Sequence, residues 1–150
     1  MPSTLTTGSK VHFHFLEGGL ALSDRSRLKH FIASLFKKEK KRLAEIRYIF
    51  CSDDYLLSIN QQYLQHDYYT DIITFGLSKP GEPINAEIYI SVDRIRDNAV
   101  QFGNSLRTEL HRVIFHGALH LCGYGDKKKK EALIMRQMED KYLGLYFSSK

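Results

Sequence analysis

FHGALHLCGYGD, residues 115–126, sets two histidines one helical turn apart, breaks into glycines and ends on an aspartate. Two readings are open: a helix that presents a metal-binding imidazole pair, or a buried helix with two histidines before a capped turn. Side chains four residues apart on a helix share a face, with Cβ atoms roughly 5–6 Å apart. That separation lets two ring nitrogens reach one ion at about 2.0–2.1 Å. Gly123 and Gly125 are expected to end the helix, because glycine takes the positive φ that a C-terminal cap needs. The chain can then turn and carry Asp126 back over the histidine face. His116, His120 and Asp126 are therefore three candidate ligands with a fourth position open, the layout of a catalytic rather than a structural zinc ion.

The competing reading has its own support. A histidine pair at this spacing also occurs in helices that bind nothing. Asp126 stands just before KKKKEALIMRQMED (127–140), where an N-cap aspartate is expected in any case. Cys122 lies two positions from His120 and His111 well around the helix from His116, so both read as packed side chains. His12 and His14 alternate with Phe13 and Phe15, which suits an exposed strand face. Gly117 takes the place of the glutamate that serves as general base in a helical metalloprotease, so peptidase activity is disfavoured. It also removes a side chain where another segment could approach the helix.

Outward from this stretch the pattern is that of one α+β domain over residues 1–150, with residues 1–10 a loose tail. KVHFHFLEG (10–18) alternates as a strand. SDRSRLKHFIASLFKKE (23–39) opens on a candidate N-cap, Ser23, and repeats Leu28, Phe31, Ile32 and Leu35 at helical spacing. EIRYIFCS (45–52) reads as a strand, and Asp53 or Asp54 as the cap of a short helix through Tyr63. TDIITFGL (70–77) and AEIYISVD (86–93) are two further strands, separated by the turn-forming SKPGEP. Helices are predicted over about 94–103, 105–122 and 127–146, the last with Ile134, Met138, Tyr142 and Leu145 on one face. The expectation is a mixed sheet of about four strands packed with four to five helices, with the metal site on a central helix and the turn after it.

Composition narrows the class. Hydrophobic residues make up 43% of the 150 and charged ones 26%, a globular balance. No stretch is long and apolar enough to span a bilayer and residues 1–10 lack the apolar core of an export signal, so a soluble, cytoplasmic protein without membrane contact is expected. Two cysteines, Cys51 and Cys122, read as free thiols. The net charge of +5 is modest evidence for a polyanionic partner.

HGALHLCGYGD resembles the histidine motif of the YbeY-type endoribonucleases, bacterial metalloproteins of rRNA maturation, whose pattern is roughly His-Gly-x-Leu-His-Leu-x-Gly-Tyr-Asp-His. INQQYLQHDYYTDIITF (59–75) is similar to that family's Leu-Asn-x-x-Tyr-Arg-x-x-Asp-x-x-Thr-Asp-Val-Leu-Ser-Phe segment. AEIYISVDRIRDNA (86–99) is similar to its Gly-Asp-Ile-x-Ile-Ser strand and following helix. The matches run in family order from about residue 45 to the C-terminus. The resemblance implies His116 and His120 as zinc ligands and places the third at Asp126, where the family motif has histidine. The extra negative charge should make the ion a weaker Lewis acid. Leu64 occupies the place of the family's arginine, so the phosphate grip would fall to His66 or to the lysines at 127–130.

The resemblance implies a metal-dependent, single-strand-acting endoribonuclease of rRNA maturation and ribosome biogenesis, with RNA and the ribosome or its proteins as partners. The alternative is a metal-stabilised, RNA-binding ribosome-assembly factor that does not cut; a hydrolase of a small phosphorylated substrate is a third reading. Metal would acidify a water or polarise a phosphate oxygen. Asp71 and Glu109 are candidate bases, Glu109 better suited to an outer role. His66, Asp71, Lys127 and Lys128 are candidate substrate contacts. Lys127–Lys130 in the first turn of a helix oppose its dipole, at about 0.3–1 kcal/mol each, as a phosphate-binding or merely solvated run would. Arg94, Arg96 and Arg112 would extend the basic surface, and Tyr68, Tyr69 and Tyr124 would offer stacking to unpaired bases.

Overall fold

Two strands of β-branched and aromatic residues lie side by side at the centre of the molecule. The computed structural model describes residues 9–16, 20–66 and 69–148; residues 1–8 of the proposed tail at 1–10, the end of the first predicted strand and Tyr68 lie outside them. β1 (Val11–Phe15), β2 (Leu43–Cys51), β3 (Ile72–Gly76) and β4 (Ile84–Ser91) form a sheet of order β1-β2-β4-β3. β1 pairs with β2 and β2 with β4 in parallel, while β3 runs antiparallel to β4. Around it are α1 (Arg25–Lys38), α2 (Asp53–Leu64), α3 (Val92–Phe102), α4 (Leu106–Leu121) and α5 (Lys129–Ser148). The fold is α+β with a mixed sheet, as expected.

Alternation fixes which side of the sheet is covered by what. Ile46, Tyr48 and Phe50 of β2 and Ala86, Ile88 and Ile90 of β4 are buried, and Phe13 and Phe15 of β1 stand in register beside Tyr48 and Phe50. This face carries the main core with Leu28, Ile32 and Phe36 of α1, Ile114, Phe115 and Leu119 of α4, and Tyr142 and Tyr146 of α5. Each such side chain stabilises the fold by roughly 1.5–3 kcal/mol. The opposite face is smaller and partly polar: Cys51 and Ile73 pack with Leu56 and Ile59 of α2, and Arg47 pairs with Glu87. His12 lies on that side beside Arg47, 3.0 Å from Glu45, so the exposed-face reading of the strand histidines holds.

Serines begin three helices. The side chains of Ser52, Ser91 and Ser105 accept from the backbone N–H of Tyr55, Arg94 and Thr108. Asp53 and Asp54 therefore sit inside the first turn of α2, where their charge favours the helix dipole, rather than at its cap. Ser23 is not the cap of α1 either: Asp24 is, with φ of 53° and no side-chain cap bond.

α4 is buried on nearly every side, because the sheet, α1, α3 and α5 all pack on it. Gly117 makes the approach to the sheet possible. A Cβ there would stand 2.8 Å from Ile88 Cδ1 and 3.1 Å from Ile72 Cδ1. α4 is further tied down by the buried Tyr48 hydroxyl, which donates to the Ile114 carbonyl at 3.0 Å. One end of a rigid central helix is thereby set beside edge strand β3, with His116 and His120 on it.

Candidate active site

The central helix ends at Cys122, and Gly123, with φ of 109°, reverses the chain. The reversal brings Asp126 back to His116: Oδ2 lies 3.2 Å from Nε2. Asp126 is not the cap of the last helix, since α5 starts at Lys129. The Lys128 N–H there donates instead to Glu131, 3.3 Å away, in the manner of a capping box.

Both imidazoles are held through Nδ1. His116 Nδ1 donates to Glu139 Oε2 at 2.7 Å, and His120 Nδ1 donates to the Tyr124 carbonyl at 3.0 Å. A neutral ring that donates through Nδ1 keeps a lone pair on Nε2. At His116 that lone pair faces a carboxylate oxygen, so two acceptors stand 3.2 Å apart with nothing to reconcile them but a proton or a cation. Donors bound tetrahedrally at 2.0–2.1 Å lie about 3.3 Å from one another, so the spacing suits an ion as well as it suits a proton. The His120 ring is nearly parallel to that of His116, at 4°, with centroids 6.5 Å apart. Among the described residues no three His, Cys, Asp or Glu side chains have closed on a common point. The closed pair is His116 with Asp126, and His120 stands beside it. The donor chemistry fits zinc: two imidazoles with anchored second nitrogens and a carboxylate.

Behind His116 lies a network that sequence reading missed. Glu139, on the buried side of α5, also accepts from Arg112 at 3.0 Å, and Arg112 reaches Asp140 at 2.9 Å. Arg112, expected on a basic surface, is thus an internal partner that neutralises the carboxylate holding His116. Burial alone would lower the His116 pKa; the Glu139 hydrogen bond and the charges of Glu139, Asp126 and Asp71 outweigh it and raise it above the ordinary value.

Two open clefts meet at this pair. One, of about 330 Å³, is lined by Leu64, His66, Thr74, His120 and Lys127 as well as His116 and Asp126. The other, of about 360 Å³, adds Asp71, Asn98, Arg112 and Glu139, and shares Thr70 and Ile72 with the first. His66 arrives there because Gln65 ends α2 in the left-handed region and the His66 N–H folds back onto the Asn60 carbonyl at 3.1 Å. Leu64 does face the cleft, without a charge. Desolvation raises the Asp71 carboxyl above the usual range, against the pull of His116. Glu109 lines the second cleft, but it is buried and takes the Asn104 amide at 3.3 Å.

Other candidates fall elsewhere. Lys128 is exposed and does not line either cleft. The Tyr124 hydroxyl donates to Glu39 at 2.8 Å, which makes it a structural tie. The Tyr69 ring lies under the Arg94 guanidinium at 5.7 Å, and Arg94 pairs with Asp53. His111 donates to the Arg107 carbonyl and stacks on Tyr146. Cys122 is buried, its thiol pushed up to about 12 by desolvation, and is inert as a nucleophile.

A central helix that delivers two imidazoles, followed by a turn that returns a carboxylate, defines an α+β protein built around an imidazole–carboxylate cleft. The family model described as Endoribonuclease YbeY matches residues 21–146. A Cytophaga hutchinsonii relative, named Endoribonuclease YbeY, is 48% identical over 124 residues, covering 83% of this chain and 87% of that one. A Bacteroides thetaiotaomicron relative of the same name is 56% identical over 105 residues, 70% of this chain and 76% of that one. A Thermotoga maritima protein whose structure was determined in solution aligns with a TM-score of 0.64 at 28% identity, over 92% of this chain and 89% of that one. The chain belongs to the YbeY endoribonuclease family.

Proposed function

We propose that this protein is a metal-dependent endoribonuclease that acts on single-stranded RNA during rRNA maturation and ribosome biogenesis, in the cytoplasm and with the ribosome as its setting. The observation that carries the reading is the 3.2 Å approach of His116 Nε2 and Asp126 in an open cleft, with His120 alongside. His116, His120 and Asp126 would hold one zinc ion. Zinc held there supplies Lewis-acid activation of water or of a non-bridging phosphate oxygen.

The remaining steps belong to the chain's own groups. Glu139 fixes the tautomer and angle of His116, and Arg112 holds the Glu139 carboxylate in place. His66 and Lys127 line the cleft where a phosphodiester would lie; Lys127 would supply the cationic contact that Leu64 does not, and His66 a ring N–H. Asp71, which lines the second cleft beside His116 and Asp126 and whose carboxyl is raised above the usual range by desolvation, would take the proton from the attacking water. Clefts open at the surface suit a chain of nucleotides better than a small phosphorylated molecule.

A non-cleaving assembly factor is the second reading, favoured by Leu64 facing the cleft in the place of the family's arginine. Unstructured RNA incubated with the purified, zinc-loaded protein separates the two. Cleavage that disappears in both His116→Ala and His120→Ala supports the enzyme. RNA binding with no cleavage, once contaminating nuclease is excluded, supports the assembly factor.

A further inference from the structure

The end of α1 and its connection to β2, KKEKKR (37–42), form the most basic stretch outside the Lys127–Lys130 run, and none of its residues lines the imidazole cleft. Its one acid is withdrawn: Glu39 accepts from the hydroxyls of Tyr124 and Tyr142 and so turns towards the core. The cations around it remain exposed. Lys40 holds φ of 60°, an uncommon conformation for lysine, and the Arg42 guanidinium donates to the Gly81 carbonyl at 2.8 Å, which ties this connection to the β3–β4 loop.

Between those two loops lies an open cleft of about 510 Å³, lined by Lys40, Lys41, Arg42 and Lys79 with a single acid, Glu82. The Glu82 carboxylate is taken by the Lys79 backbone N–H at 2.8 Å. This cleft and the imidazole cleft share no residue, but both are lined from β3 and from the end of α4. Thr74 lines one and Gly76 the other, two residues on along the same side of β3; His120 lines one and Leu121 the other. From Ile72 to Gly76 the strand covers about 13 Å. Tyr124 joins the two regions covalently and by hydrogen bonds, since its carbonyl holds His120 and its hydroxyl holds Glu39.

We infer that the edge of β3 and the Lys40–Lys41–Lys79 cleft form a track that binds the phosphates of the RNA strand where it extends beyond the imidazole cleft. The inference rests on the reading of that cleft as an RNA site. A row of ammonium groups without bases to read grips any sequence, through counterion release. Such a track therefore selects for length of single strand and not for sequence, and an RNA too short to leave the cleft gains nothing from it.

Binding of a short and a long unstructured RNA of the same composition, at several salt concentrations, tests this. The wild-type chain should prefer the long RNA. The Lys40→Asn/Lys41→Ala/Lys79→Ala variant, with Asn chosen because it tolerates positive φ, should lose that preference, and its salt slope for the long RNA should fall by about 2. A Lys41→Ala/Lys79→Ala variant, which leaves the Lys40 backbone alone, should lose about two-thirds as much, and Lys41→Arg/Lys79→Arg should retain the preference. An unaltered length preference and salt slope in the neutralised variants overturn the track, as would a face that serves an acidic protein instead. A wild-type chain that binds RNA without cutting it refutes nuclease action and leaves the track standing; one that binds neither RNA overturns both.

Discussion

His116 donates through Nδ1 to the carboxylate of Glu139, 2.7 Å away and 23 residues further along the chain. Glu139 is only 5% exposed and is shared with Arg112. Partners of this kind orient a ligating imidazole and raise its basicity, and their loss typically costs 10–100-fold in metal affinity. Glu139→Gln should therefore weaken zinc binding roughly tenfold or more, measured by competition with a chelator. Glu139→Ala should also destabilise the fold by about 1–3 kcal/mol, because it leaves the mostly buried Arg112 with only the exposed Asp140 as its partner. A variant with wild-type zinc affinity would remove Glu139 from the site.

The metal-free protein should show the His116 proton as a pH-dependent stability. Its folded pKa is raised, so its contribution is complete below the unfolded imidazole value of about 6.5 and is lost as the pH climbs through the higher folded value. Urea melts of chelator-treated wild type and His116→Gln should differ most in mild acid and converge towards alkaline pH. A gap that widens with rising pH would be the wrong sign. Because zinc and the proton compete for Nε2, metal affinity should fall in the same acid range.

Gly117 is held by the sheet and not by the helix. Alanine there gains about 1 kcal/mol of helix propensity, but its Cβ would lie 2.8 Å from Ile88 Cδ1 and 3.2 Å from Ile88 Cγ2, inside a packed core. Overpacking of this kind costs about 1–3 kcal/mol. The net expectation is a loss near 1 kcal/mol, a fall of about 2–4 °C in Tm for a domain of this size. Gly117→Glu, which would complete the peptidase spelling, sets a carboxylate against Ile72 and Ile88 and should fail to fold. A Tm for Gly117→Ala at or above wild type would contradict the packing argument.

The lysine run should divide in two. Lys127 lines the imidazole cleft, whereas Lys129 and Lys130 are exposed in the first turn of α5. Lys127→Ala should weaken RNA binding and lower the salt slope by about 0.7. Lys129→Ala and Lys130→Ala should leave RNA affinity as it is and stabilise the helix by about 0.3–1 kcal/mol each. Equal losses of affinity at all three positions would mean that the whole run grips phosphate.

What could be read from residues alone was whatever local chemistry determines. The ends of α4 were legible to within a residue, since Ser105 caps it and Gly123 turns it. The α5 face was not. Ile134 and Leu145 were expected inward, but the buried side carries Met135, Glu139, Tyr142, Leu143 and Tyr146. A stripe sought among apolar residues passes over Glu139 and slides by one position, and so loses the residue that matters most to His116. Arg112 was misplaced on the surface for the same reason: its partner is 27 residues away on another helix, and nothing local announces it. A carboxylate on the buried side of a helix, within a chain that already shows an imidazole pair, was the available signal.

The metal content of the purified chain, set beside that of His116→Ala, His120→Ala and Asp126→Ala, bears most directly on the site. One zinc ion per wild-type chain, and its loss from each folded variant, is the expected result. A wild-type protein that takes up no divalent metal, or variants that keep it, would mean that a proton and not an ion reconciles His116 with Asp126.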